Sequence, residues 1–130
     1  MRKLIPLLLL GLAGPSVACE QLLAGTYSLR EKTGALYPAL RLSWERDHLA
    51  AYFRPSNRWV PAEEQPRSYS AEEFATFTGQ PVPTGYCGVW FAGTIVAHVP
   101  AHWHWADFTS QSGFVLITIA GPHEAQHSEP

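Results

Sequence analysis

The stretch from His98 to Asp107 holds the densest group of side chains that could do chemistry. On a strand, side chains two residues apart share a face, so His102 and His104 would point the same way. Such a pair can supply two ligands to a zinc or copper ion, and His98 or Asp107 could supply a third. Nothing in the spacing fixes that third ligand, and structural or interface roles are commoner for such histidines. We therefore predict no metal and no cofactor, and keep a ligand- or metal-binding module at His98–Asp107 as an alternative.

Cys87 suggests a second kind of chemistry, with His102 as the base and Asp107 as the acid that orients it. A catalytic cysteine usually lies at a helix N-terminus or beside a cation, where the pKa of the thiol falls. Cys87 instead lies in an apolar, aromatic run that predicts a strand, and Cys19 is available to oxidise it. The sequence therefore predicts no catalytic residue, with a small thiol hydrolase using Cys87 as a further alternative.

The run His123-Glu124-Ala125-Gln126-His127 spells the His-Glu-x-x-His pattern of zinc proteases. That pattern works when a buried helix presents both histidines to one metal ion. Here the run follows Gly121-Pro122 and has no apolar flanks. We interpret it as a chance match within a polar C-terminal tail, residues 122–130, which we expect to fray.

Tryptophan is frequent, with five in the chain. We predict that Trp44 and Trp90 are core residues and that Trp59 covers a sheet edge. Trp103 and Trp105 lie near a proline and two histidines, which favours partial exposure, and exposed aromatic residues often anchor protein interfaces. The predicted partner-binding residues are His102, Trp103, His104, Trp105, Asp107, Phe108 and Trp59.

The N-terminus has the order of an export signal, with Arg2 and Lys3, an apolar run, and small residues before Cys19. The apolar run is shorter than the roughly 20 residues that a membrane span needs. We predict a signal peptide at residues 1–18 and a periplasmic or otherwise exported protein. A Cys19–Cys87 disulfide is the predicted state in an oxidising compartment. Lipidation of Cys19, which would give an outer-membrane lipoprotein, is the alternative.

The mature chain would have about 112 residues, enough for a single β domain, which we place at residues 19–121. Loss of the signal lowers the number of lysines and arginines from 9 to 7, against 11 acids. The resulting net charge of about −4 argues against nucleic acid as a partner, because phosphates need a basic surface.

Alternating apolar and polar residues predict that the domain is mostly β, and runs 39–44 and 49–54 predict a hairpin. Ser70 and Glu73 match a capping box that begins a short helix, with Phe74 and Phe77 facing the core. Run 114–120 is nearly all apolar and predicts a strand buried on both faces. The predicted fold is a small antiparallel sandwich or partly open barrel with one short helix, after the N-terminal signal peptide.

These features favour a small exported domain, periplasmic or attached to the outer membrane, that acts by binding another envelope protein. The chain is acidic, is predicted to be disulfide-bonded and contains no recognisable catalytic set. An inhibitor or immunity-type protein against an envelope hydrolase fits this description. Attachment to the membrane is expected only if Cys19 is lipidated.

Overall fold

The computed structural model describes residues 18–130, so the predicted signal peptide lies outside the described residues except for Ala18. The described chain begins in a helical segment that ends at residue 23, and it later forms a 3-10 helix at Pro55–Asn57 and helix α1 at Ala71–Thr78. Its strands are β1 (Gly25–Arg30), β2 (Leu36–Glu45), β3 (His48–Phe53), β4 (Val60–Pro61), β5 (Arg67–Ser68), β6 (Cys87–Phe91), β7 (Thr94–His98), β8 (His104–Trp105), β9 (Phe108–Thr109), β10 (Phe114–Thr118), β11 (Gly121–Glu124) and β12 (Gln126–Ser128).

The first sheet has the strand order β12-β1-β2-β3-β4, and each neighbouring pair is antiparallel. Its strands alternate as predicted. On β2, Leu40 and Leu42 are buried, whereas Arg41 between them is half-buried on the opposite, outer face. The predicted hairpin is the β2–β3 pair, in which Leu42 lies opposite Ala51. One face of this sheet is therefore apolar and the other is polar.

The second sheet has the order β11-β10-β7-β6-β5, and it is also antiparallel throughout. Consecutive residues are buried in its central strands: Ile95, Val96 and Ala97 on β7, and Val115, Leu116 and Ile117 on β10. Successive side chains on a strand point to opposite faces, so both faces of this sheet are covered. The prediction that run 114–120 is a strand buried on both faces is confirmed for Phe114–Thr118, but the strand ends there and Ile119 is fully exposed in the turn that follows.

Two layers of apolar side chains result, one on each face of the second sheet. The inner core lies between the two sheets, where Tyr27 and Leu42 of the first meet Val89, Phe91 and Leu116 of the second. The outer core lies on the far face of the second sheet, under a covering layer that consists of α1 and the β8–β9 hairpin. Its buried members are Phe74, Ile95, Ala97, Val99, Trp103, Val115 and Ile117. The mostly β, antiparallel fold with one short helix is confirmed, as a sandwich with one face covered.

Helix α1 begins with the predicted capping box. Ser70 Oγ accepts a hydrogen bond from the backbone N–H of Glu73 at 3.0 Å, and the Glu73 carboxylate accepts one from the N–H of Ser70 at 2.9 Å. Phe74 is fully buried as predicted, but the prediction that Phe77 faces the core is wrong, because its side chain is 46% exposed. The buried face instead continues from Phe74 to Thr78, four residues on, and so Phe77 lies on the flank of this short helix.

The predicted pairing of the two cysteines is confirmed. Cys19 and Cys87 form a disulfide with their Cα atoms 5.5 Å apart, within the usual range for such a bond. Cys87 is a buried member of the inner core, and Cys19 packs against that core. The bond therefore attaches the start of the described chain to the second sheet.

The expectation that residues 122–130 fray is wrong. Gly121–Glu124 pairs with β10, and the chain then crosses at the fully buried Ala125 so that β12 pairs with β1. The backbone N–H of Ala125 donates to the carbonyl oxygen of Phe114 at 3.0 Å. Backbone pairing with two sheet edges orders this polar segment, and such pairing leaves no apolar pattern in a sequence.

Candidate functional site

The predicted binding stretch folds as a tight hairpin in the covering layer. Trp105 and Phe108 are paired across the two-residue turn Ala106-Asp107, and Ala106 has the positive φ, 53°, that such a turn requires. His102 has a φ of 71° and lies before the strand, which begins at His104. The prediction that His102 and His104 share one strand face is therefore wrong, although both side chains are exposed.

Trp103 is a core residue, and the expectation that its side chain is partly exposed is wrong. It is only 8% exposed and belongs to the outer core, where its ring centroid lies 5.7 Å from that of Phe74. Its indole Nε1 is buried and makes no hydrogen bond with the described residues. Trp103 lies between the exposed His102 and His104, and its side chain points the other way, into the outer core.

Trp105 lies at the surface together with Phe77 of α1. The two ring centroids are 5.4 Å apart, and we call these two side chains the aromatic patch. Trp105 is half-buried and Phe77 is exposed. The indole Nε1 of Trp105 donates to the carbonyl oxygen of Thr78 at 3.0 Å, which fixes the ring against the end of the helix. The sequence predicted Trp105 at the surface but not Phe77 beside it.

The backbone of the hairpin is also hydrogen-bonded to the segment that follows α1. Gln80 Nε2 donates to the carbonyl oxygen of His104 at 3.0 Å. Behind α1, Tyr86 stacks on Phe74 at 4.4 Å and its phenol donates to the carbonyl oxygen of Tyr69 at 2.7 Å. The Tyr86 ring lies where a side chain at Gly88 would collide with it, so glycine is needed there. The aromatic patch thus lies on a rigid support.

A shallow depression of about 420 Å³ lies beside Phe77, lined by Tyr69, Glu72, Glu73, Thr76 and Phe77. Its carboxylates make it acidic. The hydrogen bond from the Ser70 N–H, together with the nearby Arg67 guanidinium, lowers the pKa of Glu73 below its ordinary value. Burial and the Glu73 carboxylate raise the pKa of Tyr69. At neutral pH the surface around the aromatic patch therefore carries negative charge.

The remaining predicted partner-binding residues divide between two places. Phe108 is half-buried against the outer core, and Asp107 is exposed in the hairpin turn, so both belong to the covering layer. Trp59 lies on the other side of the sandwich, on the outer face of the first sheet. There the guanidinium carbons of Arg41 and Arg54 lie 4.6 and 5.4 Å from the centroid of its ring. The seven predicted residues do not form one surface.

The histidines that could have bound a metal do not converge. His98 lies on the inner face of the second sheet, where its ring is 5.0 Å from that of Phe114, whereas His102 and His104 lie in the covering layer. Within residues 18–130, no three histidine, cysteine, aspartate or glutamate side chains are grouped so that they could hold a metal ion.

Cys87 has no free thiol, because it is bonded to Cys19 and is only 4% exposed. Cys87 is also too far from His102 and Asp107 for the three to act together, because they lie on opposite sides of the second sheet. Cys87 faces the inner core, whereas the other two residues are on the covering layer beyond the opposite face of the sheet. This geometry removes the basis for the thiol hydrolase alternative.

The His-Glu-x-x-His run is divided between the two sheets. His123 lies on β11 and contacts Thr118 Oγ1 at 3.3 Å, whereas His127 lies on β12 and donates from Nε2 to the carbonyl oxygen of Ala24 at 2.8 Å. The carboxylate of Glu124 accepts from the backbone N–H groups of Gln111 and Ser112. Each member has a structural partner, and no helix presents the two histidines together.

The chain matches no family model, and no curated protein and no solved structure is significantly similar to it. Among residues 18–130, no helix has the length and apolar character that crossing a bilayer requires. Inferences about function therefore depend on the surface geometry described above.

Proposed function

We propose that this chain is a small exported domain that acts by binding another protein of the cell envelope through the aromatic patch. The observation that carries the proposal is the contact between Phe77, which is 46% exposed, and Trp105, whose indole is fixed by its hydrogen bond to Thr78. Large aromatic side chains that are fixed before binding lose little entropy in a complex, and they dominate the energetics of many interfaces.

The surroundings of the aromatic patch support a protein partner. His104 and Asp107 are exposed beside Trp105, and the acidic depression adjoins Phe77, so a polar rim surrounds an apolar centre. This arrangement is typical of protein interfaces. Trp103 is excluded from the proposed contact because it is buried, and Trp59 because it is on the opposite side of the sandwich.

The compartment and the partner class belong to the same proposal. The signal-like N-terminus and the disulfide support export to the periplasm or beyond, since disulfides persist in oxidising compartments. A bonded Cys19 is not available for lipidation, which favours a soluble exported form over a lipoprotein. An inhibitor or immunity-type protein against an envelope hydrolase is the form of binding that we propose.

The test compares the wild-type protein with the Phe77→Ala/Trp105→Ala variant as baits in an envelope extract from the native cells. The wild type should retain one protein that the double variant retains at least about tenfold less, as loss of two interface aromatics predicts. If that protein is a hydrolase, added wild-type chain should lower its activity and the double variant should not.

Tyr37→Ala is the matched control, because Tyr37 is an aromatic residue of similar exposure, 40%, on strand β2 of the first sheet and not on the covering layer. It should retain the partner as the wild type does. Equal retention by the wild type and the double variant would contradict the proposal. So would a partner that Tyr37→Ala also loses.

A further inference from the structure

The cations of this chain are concentrated in one part of the fold. Of the seven lysines and arginines after residue 18, six lie between residues 30 and 58, together with only three acids. This segment contains β2, β3 and the connections next to them. The other eight acids lie outside it with a single cation, Arg67. The first sheet therefore carries net positive charge on an acidic protein, and a surface of this kind attracts anionic partners.

Arg41 lies at the middle of this basic region, on the central strand of the first sheet. Its neighbours across the strands are Thr26 on β1 and Tyr52 on β3, both on the outer face. Its guanidinium lies 5.8 Å from the Tyr52 ring centroid and 4.6 Å from that of Trp59. Two aromatic rings hold this cation, but no carboxylate of the described residues lies within 4.0 Å of it.

Arg54 joins the same group from the end of β3. Its guanidinium carbon lies 5.4 Å from the Trp59 ring centroid. Its Nε atom is buried and makes no hydrogen bond with the described residues. A buried charged donor without an acceptor is costly, and two cations gathered on one indole repel each other. A bound anion would offset the repulsion between the two guanidinium groups, whereas the buried Nε atom of Arg54 lies out of its reach.

Arg67 provides a comparison, because it is an arginine on aromatic rings that also has a carboxylate partner within the chain. Its guanidinium also lies over two aromatic rings, at 5.0 Å from Trp90 and 5.9 Å from Tyr69. In this case the chain supplies the carboxylate itself, because Glu73 lies 3.5 Å from Arg67 Nη1. Arg41 and Arg54 have the aromatic support without a carboxylate of the described chain in direct contact, since the carboxylate of Glu45 accepts its hydrogen bond from the Tyr52 phenol.

From this difference we propose that Arg41, Arg54 and Trp59 form a binding site for a carboxylate of an acidic protein segment. Planar guanidinium groups match the two oxygens of a carboxylate, and stacking on aromatic rings fixes them for that contact. Phosphate sites commonly add a glycine-rich loop or the N-terminus of a helix, whereas the only helix beside Arg54 in the described chain is the three-residue 3-10 helix Pro55–Asn57, whose first residue is a proline and has no N–H to donate. A sugar ring would need a free aromatic face, whereas both rings here carry guanidinium groups. The site does not depend on the aromatic patch, which lies on the opposite side of the sandwich.

The test measures the binding of fluorescein-labelled hexaglutamate to the oxidised protein at low salt. The wild type should bind it saturably. Arg41→Gln and Arg54→Gln should each weaken binding at least about tenfold, because each removes charge-assisted hydrogen bonds. Arg41→Lys keeps the charge but not the planar fork, and should weaken binding by about threefold or more.

Arg67→Gln is the matched control, with the same change in net charge and the same aromatic setting, and it should alter binding by less than about twofold. Urea unfolding checks that each variant is folded. If Arg41→Gln does not fold, the comparison of Arg41→Lys and Arg54→Gln with the wild type still tests the proposal. The proposal is overturned if the wild type does not bind hexaglutamate, if Arg67→Gln loses as much as Arg41→Gln, or if Arg41→Lys binds like the wild type. Binding of polygalacturonate or inorganic phosphate in preference to hexaglutamate would also overturn it.

Discussion

The two outer faces of the sandwich differ in what lies on them. On the second sheet, α1 and the β8–β9 hairpin cover an apolar surface, and this covering layer carries the acids Glu72, Glu73 and Asp107. On the first sheet, the outer face consists of half-buried polar and aromatic side chains around Arg41. The covered face is stabilised by apolar burial, whereas the uncovered face keeps polar groups in contact with solvent.

Each face also offers a different kind of contact to a partner. The aromatic patch presents apolar rings with an acidic surround, while the first sheet presents guanidinium groups supported by Trp59. A chain with both surfaces could bind one protein by burying the aromatic patch and an acidic segment through the guanidinium groups of the first sheet. The difference shows that the three tryptophans have separate roles. Trp103 packs in the outer core, Trp105 lies at the surface in the aromatic patch, and Trp59 contacts the guanidinium groups of the first sheet.

Of the changes considered, removal of the disulfide should lower the free energy of unfolding most, and it should destabilise both faces of the sandwich together. The Cys19–Cys87 bond spans 68 residues of sequence. We expect the Cys19→Ala/Cys87→Ala variant to lose about 4 kcal/mol of unfolding free energy, mainly because the unfolded chain gains freedom. Urea unfolding followed by tryptophan fluorescence and by far-ultraviolet circular dichroism should give coincident transitions. Two separate transitions would show that the faces unfold independently.

Truncation of Trp103 should distinguish the two faces. We expect Trp103→Ala to lower the unfolding free energy by about 3 to 4 kcal/mol, because it leaves a cavity in the outer core beside Phe74. Trp59→Ala removes the same side chain from the uncovered face, where it is only half-buried, and should cost about half as much or less. Equal losses in urea unfolding would contradict the assignment of Trp103 to the core.

The sequence predicted the covered face better than it predicted the contacts on it. The apolar run that contains β10 predicted a strand buried on both faces, and the Ser70–Glu73 capping box predicted the start of α1. Both predictions were possible because these are local sequence patterns. The burial of Trp103 depends on its packing against Phe74 of α1, and the exposure of Phe77 depends on which residues of α1 meet the sheet. These are properties of tertiary packing, which alternation does not encode.

The uncovered face was predicted in outline and not in detail. Alternation along β2 placed Arg41 outward, but nothing in the sequence brings Arg54 and Arg41 to the ring of Trp59, because that contact joins separate parts of the chain. The strands β11 and β12 were missed for a similar reason, since edge pairing is satisfied by the backbone. The Cys19–Cys87 pairing was predicted because two cysteines allow one intramolecular bond.

Loss of the capping box should lower the free energy of unfolding least. The pH dependence of its contribution should come from Glu73, which lies in the covering layer. Ser70→Ala removes the acceptor for the Glu73 N–H and should cost about 1 kcal/mol. Ser43→Ala, on the first sheet, removes a hydroxyl with no hydrogen bond to the described residues and should change stability by less than about 0.5 kcal/mol. Both values come from urea unfolding at neutral pH.

The sign of the pH dependence follows from the lowered pKa of Glu73, whose main cause is the hydrogen bond from the Ser70 N–H. A carboxylate with a pKa that is lower in the folded state stabilises the fold above its unfolded value, about 4.3, and loses that contribution as pH falls through the folded value. Glu73→Gln keeps the shape and a cap acceptor but does not titrate. It should therefore be less stable than the wild type at pH 7, and the difference should shrink steadily below about pH 4. Glu72→Gln removes a charge from the same turn without touching the cap, so it should cost less than Glu73→Gln at pH 7. A difference between Glu73→Gln and the wild type that stays constant down to pH 3 would show that the charge of Glu73 does not stabilise α1.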